Sequence, residues 1–127
     1  MNTNTDMGFN QNPIKLIEHP WMSMYFVRCA PWRWYNNGQI EILSEKGRIL
    51  AVLDEWQTLV FHEANTNQSC AELILSLASR YSNKDEVPEE LDQIILRSLK
   101  FLVDNVQAVR MTSNKMDIPE EYEFPQD

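Results

Sequence analysis

The strongest constraint on this chain is a change of hydrophobic period at Leu53-Asp54. Before that point side chains alternate as a strand requires, and after it apolar residues recur at helical spacing. Trp32 and Trp34 alternate with Arg33 and Tyr35, and Gln39-Ile40-Glu41-Ile42-Leu43 alternates again. Between them, Asn36-Asn37-Gly38 supplies residues that tolerate the positive φ of a tight turn. Ser44-Glu45-Lys46-Gly47 makes a second turn, and Arg48-Ile49-Leu50-Ala51-Val52-Leu53 is a mostly apolar run of strand length. A three-stranded antiparallel meander is expected.

Helical patterns follow, each with a start signal. Asp54 with Gln57 has capping-box spacing and leads into Trp56, Leu59, Val60 and Ala64, with Asn65-Thr66-Asn67 as the stop. Ser69 with Glu72 repeats the device before Cys70, Ile74, Leu77, Ala78 and Tyr81, and Ser82-Asn83 ends that helix. Pro88 suits a first turn, and Glu89 and Glu90 complement the helix dipole. Leu91, Ile94, Ile95, Ser98, Leu99 and Leu102 then define a long amphipathic face ending near Asn105. Val106 to Met111 alternates weakly, as a last short strand would. The expected fold is α+β and winged-helix-like, a three-stranded antiparallel meander followed by three helices.

Apolar residues concentrate between about Tyr25 and Met111, enough for one small core. Residues 1–20 read as a flexible N-terminal arm, 21–111 as the domain and 112–127 as an acidic C-terminal tail. That tail carries Asp117, Glu120, Glu121, Glu123 and Asp127, with Ile118, Tyr122 and Phe124 able to touch a surface weakly.

Charge narrows the function. The net charge of -8, from 19 acidic and 11 basic residues, repels phosphate backbones and anionic membranes. The strand and helix layout raises DNA binding, but Glu89, Glu90, Asp92 and Asp104 outnumber Arg97 and Lys100 on the third helix. Neither nucleic acid nor a membrane is therefore expected as a partner. His19 and His62 do not lie at ligand spacing from Cys29 or Cys70, so no metal is expected, and the two cysteines read as reduced thiols. No phosphate-cradling or nucleophile motif is present, and three glycines leave little material for one. With no apolar run long enough to span a bilayer and no secretory signal in residues 1–12, the expected compartment is the cytoplasm. The expectation is a binding module without catalytic residues or cofactors. The aromatic residues Phe26, Trp32, Trp34 and Tyr35 fit either a small core built from large side chains or an exposed binding face.

Gly47-Arg48-Ile49-Leu50-Ala51-Val52-Leu53-Asp54-Glu55-Trp56, leading from strand to helix, resembles the PqqD-like peptide-recognition domain of ribosomal peptide biosynthesis, the RiPP recognition element. Ser69-Cys70-Ala71-Glu72-Leu73-Ile74 is similar to that family's second helix, and Glu86-Val87-Pro88 running into Phe101-Leu102 to its third. Asn105-Val106-Gln107 replaces the family's Gly-Leu-Leu ending, as in a divergent member. The resemblance implies a non-catalytic accessory protein that presents the leader segment of a precursor peptide to a maturation enzyme of the radical SAM class. It implies that the leader adds as a strand to the edge formed by Arg48, Ile49, Leu50, Ala51 and Val52. Gln93, Arg97, Lys100 and Phe101 would form the helix wall beside it. The same residues also fit a structural role, with Ile49 and Val52 in the core and Arg97 and Lys100 on a solvated face, Lys100 near Asp104. The alternative function is a structural or regulatory subunit that docks on a protein without a peptide substrate.

Overall fold

The computed structural model describes residues 16–126. The chain enters through a 3-10 turn at Pro20–Ser23, capped by His19, whose Nδ1 accepts the Trp21 N–H at 3.1 Å. It continues into β1 (Tyr25–Arg28). The expected meander follows as β2 (Trp32–Trp34), β3 (Ile40–Leu43) and β4 (Ile49–Val52), antiparallel and ordered β2-β3-β4. Its register sets Trp32 opposite Ile42, Ile42 opposite Ala51 and Trp34 opposite Ile40. Trp32, Ile40 and Ile42 are thereby buried on the face that meets the core, and Ala51 packs against them.

The first connection is a 3-10 turn at Asn36–Gly38 rather than a two-residue hairpin loop, with Gly38 at φ 79°. Gly47, at φ 84°, closes the second by donating to the Ser44 carbonyl at 2.9 Å. Both positions lie in the left-handed region that glycine reaches without steric cost.

Both expected capping boxes form. Asp54 accepts the Gln57 N–H at 2.8 Å and Gln57 accepts the Asp54 N–H at 3.0 Å, which starts α1 (Glu55–His62). Ser69 and Glu72 exchange the same bonds at 3.2 and 2.8 Å to start α2 (Cys70–Ser79). The third helix is α3 (Leu91–Lys100), which passes into a π-helical turn over Phe101–Asn105. Leu91, Ile95, Leu99 and Leu102 are fully buried along it.

β1 and a strand after α1 lay outside the expected strand-then-helix order, whereas the last short strand expected over Val106 to Met111 does form, at Val109–Thr112. Asn65-Thr66-Asn67 does not merely end a helix but opens β5 (Asn65–Ser69), and the last strand is β6 (Val109–Thr112). Both pair antiparallel with β1, giving a second sheet of order β5-β1-β6. The two sheets and the helices share one core, in which Phe26, Phe61, Leu73 and Ile74 are fully buried.

Both ends of the described segment are tied to this core. Leu16 packs on it, and Ile17 donates its N–H to Asp92 at 2.9 Å, so Asp92 is a buried carboxylate rather than part of a solvated acidic face. The remainder of the expected N-terminal arm, residues 1–15, lies outside the described residues. The acidic segment read as a tail runs back as a strap through the short α4 (Glu120–Glu123). Met116 donates its N–H to Thr66 Oγ1 at 3.2 Å, and its carbonyl accepts from the same hydroxyl. The Tyr122 carbonyl accepts from Trp32 Nε1 at 2.9 Å, and the Gln126 N–H donates to the Trp32 carbonyl at 2.7 Å. Among the described residues no helix is long and apolar enough to cross a membrane.

Because the Ser69 hydroxyl and the Glu72 carboxylate satisfy two helix-terminal donors reciprocally, Ser69→Ala should lower the unfolding free energy by about 1 kcal/mol. The shift of the urea midpoint at unchanged m-value measures this. No shift would show that the cap is replaced by water at no cost.

Candidate functional site

The sheet β2-β3-β4 has two edges with different fates. At the β2 edge the strap is hydrogen-bonded through Gln126 and Trp32. The outer edge of β4 has no strand partner among the described residues. The Leu53 N–H donates to the Ile40 carbonyl at 2.8 Å and Ala51 lies opposite Ile42. Alternation along the strand then turns the backbone groups of Val52 away from β3. The register shifts beside Ile42, so that Ile49 faces Leu43 and Leu50 is the extra residue of a bulge.

The side chains make this edge apolar. Ile49 and Leu50 are each 52% exposed and Val52 is 43% exposed. Ala51 is half-buried and Arg48 exposed. The core role weighed for Ile49 and Val52 is thus replaced by an aliphatic strip at an open edge. Natural sheets normally cover or charge such an edge, because it pairs readily with another extended chain.

Gln93, Arg97 and Lys100 lie one and two turns apart on α3 and are exposed, while Phe101 is half-buried against the core. No extensive contact joins α3 to β4. α3 packs on α1 and α2, whereas the extensive contacts of β4 are with β3. Among the described residues Arg48, Arg97 and Lys100 make no ion pair, so the expected Lys100–Asp104 contact is absent at ion-pair distance. On the outer face of the meander Arg33 pairs with Glu41 at 2.7 Å, and Glu41, though buried, lies opposite Val52.

The aromatic residues divide. Phe26 and Trp32 are core, whereas Trp34 and Tyr35 are 48% and 45% exposed. The Trp34 ring lies 5.9 Å from that of His62 at the end of α1. One residue of consequence carried no sequence signal. Arg28, a lone basic residue in β1, is buried over the rings of Trp32 and Phe61, with its guanidinium carbon 5.2 and 5.7 Å from their centres. Burial lowers its pKa, an effect that the carboxylate of Glu123 opposes.

Burial raises the pKa of both thiols, that of Cys70 to about 12, with Arg110 partly offsetting the effect at Cys29. A thiol so protonated is a poor nucleophile and metal ligand. Among the described residues no group of three His, Cys, Asp or Glu side chains is placed to hold a metal ion. Comparison of the chain with protein-family models, with curated proteins and with solved structures gives no match.

The Cys70 thiol has a testable linkage. Its folded pKa lies above its ordinary value of 9.0, so its contribution to stability is complete below that value and is lost as pH rises toward 12. Stability should fall in that window by up to about 1.4 kcal/mol per pH unit, a component that Cys70→Ala removes. Denaturant titrations of both proteins between pH 8 and 11 measure the difference, and parallel curves would refute the linkage.

Proposed function

We propose that this chain is a non-catalytic accessory protein that binds the leader segment of a ribosomally made precursor peptide and presents it to a maturation enzyme, by resemblance one of the radical SAM class. The observation that carries this reading is the open, aliphatic edge of β4. An extended peptide adding there gains main-chain hydrogen bonds from the unpaired backbone, while Ile49, Leu50 and Val52 offer it apolar contact. Gln93, Arg97, Lys100 and Phe101 enter the reading as a second contact for a peptide long enough to pass from β4 to α3, the two cations favouring an acidic stretch. Catalysis and any cofactor belong to the partner, and the module contributes effective concentration by tethering the substrate. Cytoplasmic location, with neither nucleic acid nor membrane as partner, is part of this proposal.

A second reading is favoured by the exposed Trp34 and Tyr35, which give a docking protein two aromatic anchors at the opposite side of the meander. Here the chain is a structural or regulatory subunit without a peptide substrate.

The test is affinity purification of the tagged chain from its native cells, with mass spectrometry covering short peptides as well as proteins. Recovery of a ribosomal peptide together with an enzyme supports the first reading, and a protein partner alone supports the second. The recovered peptide, synthesised and labelled, should bind Val52→Pro about tenfold more weakly than wild type, since proline deletes the donor that faces away from β3. Undiminished binding by a variant with an unchanged melting curve would remove β4 from the site.

A further inference from the structure

A polar cavity of about 830 Å³ lies between β5 and the C-terminal strap, away from the β4 edge. Arg28 lines it and is only 6% exposed. Its guanidinium donates to the carbonyls of His62 and Glu123, both at 3.3 Å, and its Nε has no hydrogen-bond partner. Among the described residues no carboxylate lies within ion-pair distance of it. A buried guanidinium ordinarily meets a carboxylate or phosphate, often through paired N–H donors. Here two neutral carbonyls take the hydrogen bonds, and the Glu123 carboxylate acts on the guanidinium from beyond ion-pair distance.

The remainder of the lining selects among anions. Lys115 adds a cation, but Asp117, Glu120 and Glu123 place three carboxylates around the same space. An inorganic anion satisfies Arg28 and is repelled by those three. A simple diamine satisfies the carboxylates and leaves Arg28 unmatched. A molecule with one carboxylate and two ammonium or guanidinium groups matches both, and its charge opposes the net single negative charge of two cations and three carboxylates. We infer that this cavity binds a free basic α-amino acid, its carboxylate at Arg28 and its cationic groups toward Asp117, Glu120 and Glu123. The volume exceeds that of one amino acid, so water completes the shell around the polar ends.

The experiment titrates the full-length, isotope-labelled protein with L-lysine and follows the Arg28 Nε–H resonance by NMR. Cadaverine, which lacks the carboxylate, and glutarate, which lacks the cations, are the comparison ligands. A saturable shift with lysine, with each comparison ligand at least about tenfold weaker, is expected. Arg28→Lys should abolish the preference for lysine over cadaverine. Because that variant disturbs a buried site, Glu120→Gln on the exposed strap provides a second reading and should weaken lysine severalfold with no change in melting temperature. The inference is overturned if lysine gives no saturable shift, if cadaverine binds as well as lysine, or if Glu120→Gln leaves lysine affinity unchanged. None of these results depends on the β4 edge, so its failure and that of the peptide-binding reading are separable.

Discussion

Trp32 joins the parts of this fold that are not adjacent in sequence. Its ring meets Phe61 of α1 edge-on at 5.8 Å, lies beneath the Arg28 guanidinium of the second sheet, and faces Ile42 across the meander. A buried indole N–H needs an acceptor, and the Tyr122 carbonyl of the strap supplies it. The same residue's carbonyl receives Gln126. One side chain therefore ties both sheets, a helix and the C-terminal segment together. The two edges of the meander differ as a consequence, because the strap fastened at Trp32 occupies the β2 side and leaves β4 open.

What was legible in the sequence was local. The capping pairs Asp54 with Gln57 and Ser69 with Glu72 act within one helical turn, and Gly38 and Gly47 act within one connection, so their patterns survive any tertiary arrangement. The second sheet depends on contacts far apart in the chain. Asn65-Thr66-Asn67-Gln68-Ser69 lacks the apolar alternation of a strand, and Thr66 sits at φ 59°, where a β-branched residue is seldom found. Only its pairing with β1 makes β5 extended. β1 itself, Tyr25-Phe26-Val27-Arg28, is buried over its last three residues, so it shows no alternation to distinguish it from other short apolar runs.

The candidate site was half legible for the same reason. That Ile49 to Val52 form a strand follows from composition, and their place at an edge follows from a meander whose third strand has no successor in its sheet. Whether Ile49 and Val52 face the core depends on register. Val52 pairs with Glu41 and is turned from the core by strand alternation, whereas Ile49 lies beyond the bulge beside Ile42 that sets Leu50 out of step with β3. Of the helix-wall residues, Gln93, Arg97 and Lys100 are exposed and Phe101 is half-buried against the core. That α3 packs on α1 and α2 was not visible, because contacts far apart in the chain decide it.

The acidity of the C-terminal segment looks incompatible with packing, and the contacts resolve the conflict. The strap is held through the backbone N–H and C=O of Met116, the carbonyls of Tyr122 and Glu123 and the N–H of Gln126. Backbone bonding places no demand on side-chain type, so the segment docks without burying a single carboxylate. The Asp117, Glu120 and Glu123 side chains stay free to line a space opposite a buried arginine. Had the strap been fixed by its side chains, apolar residues would have been needed at those positions and the cavity would have lost its charge. Compositional bias that marks a segment as a tail is therefore also what a backbone-docked strap requires.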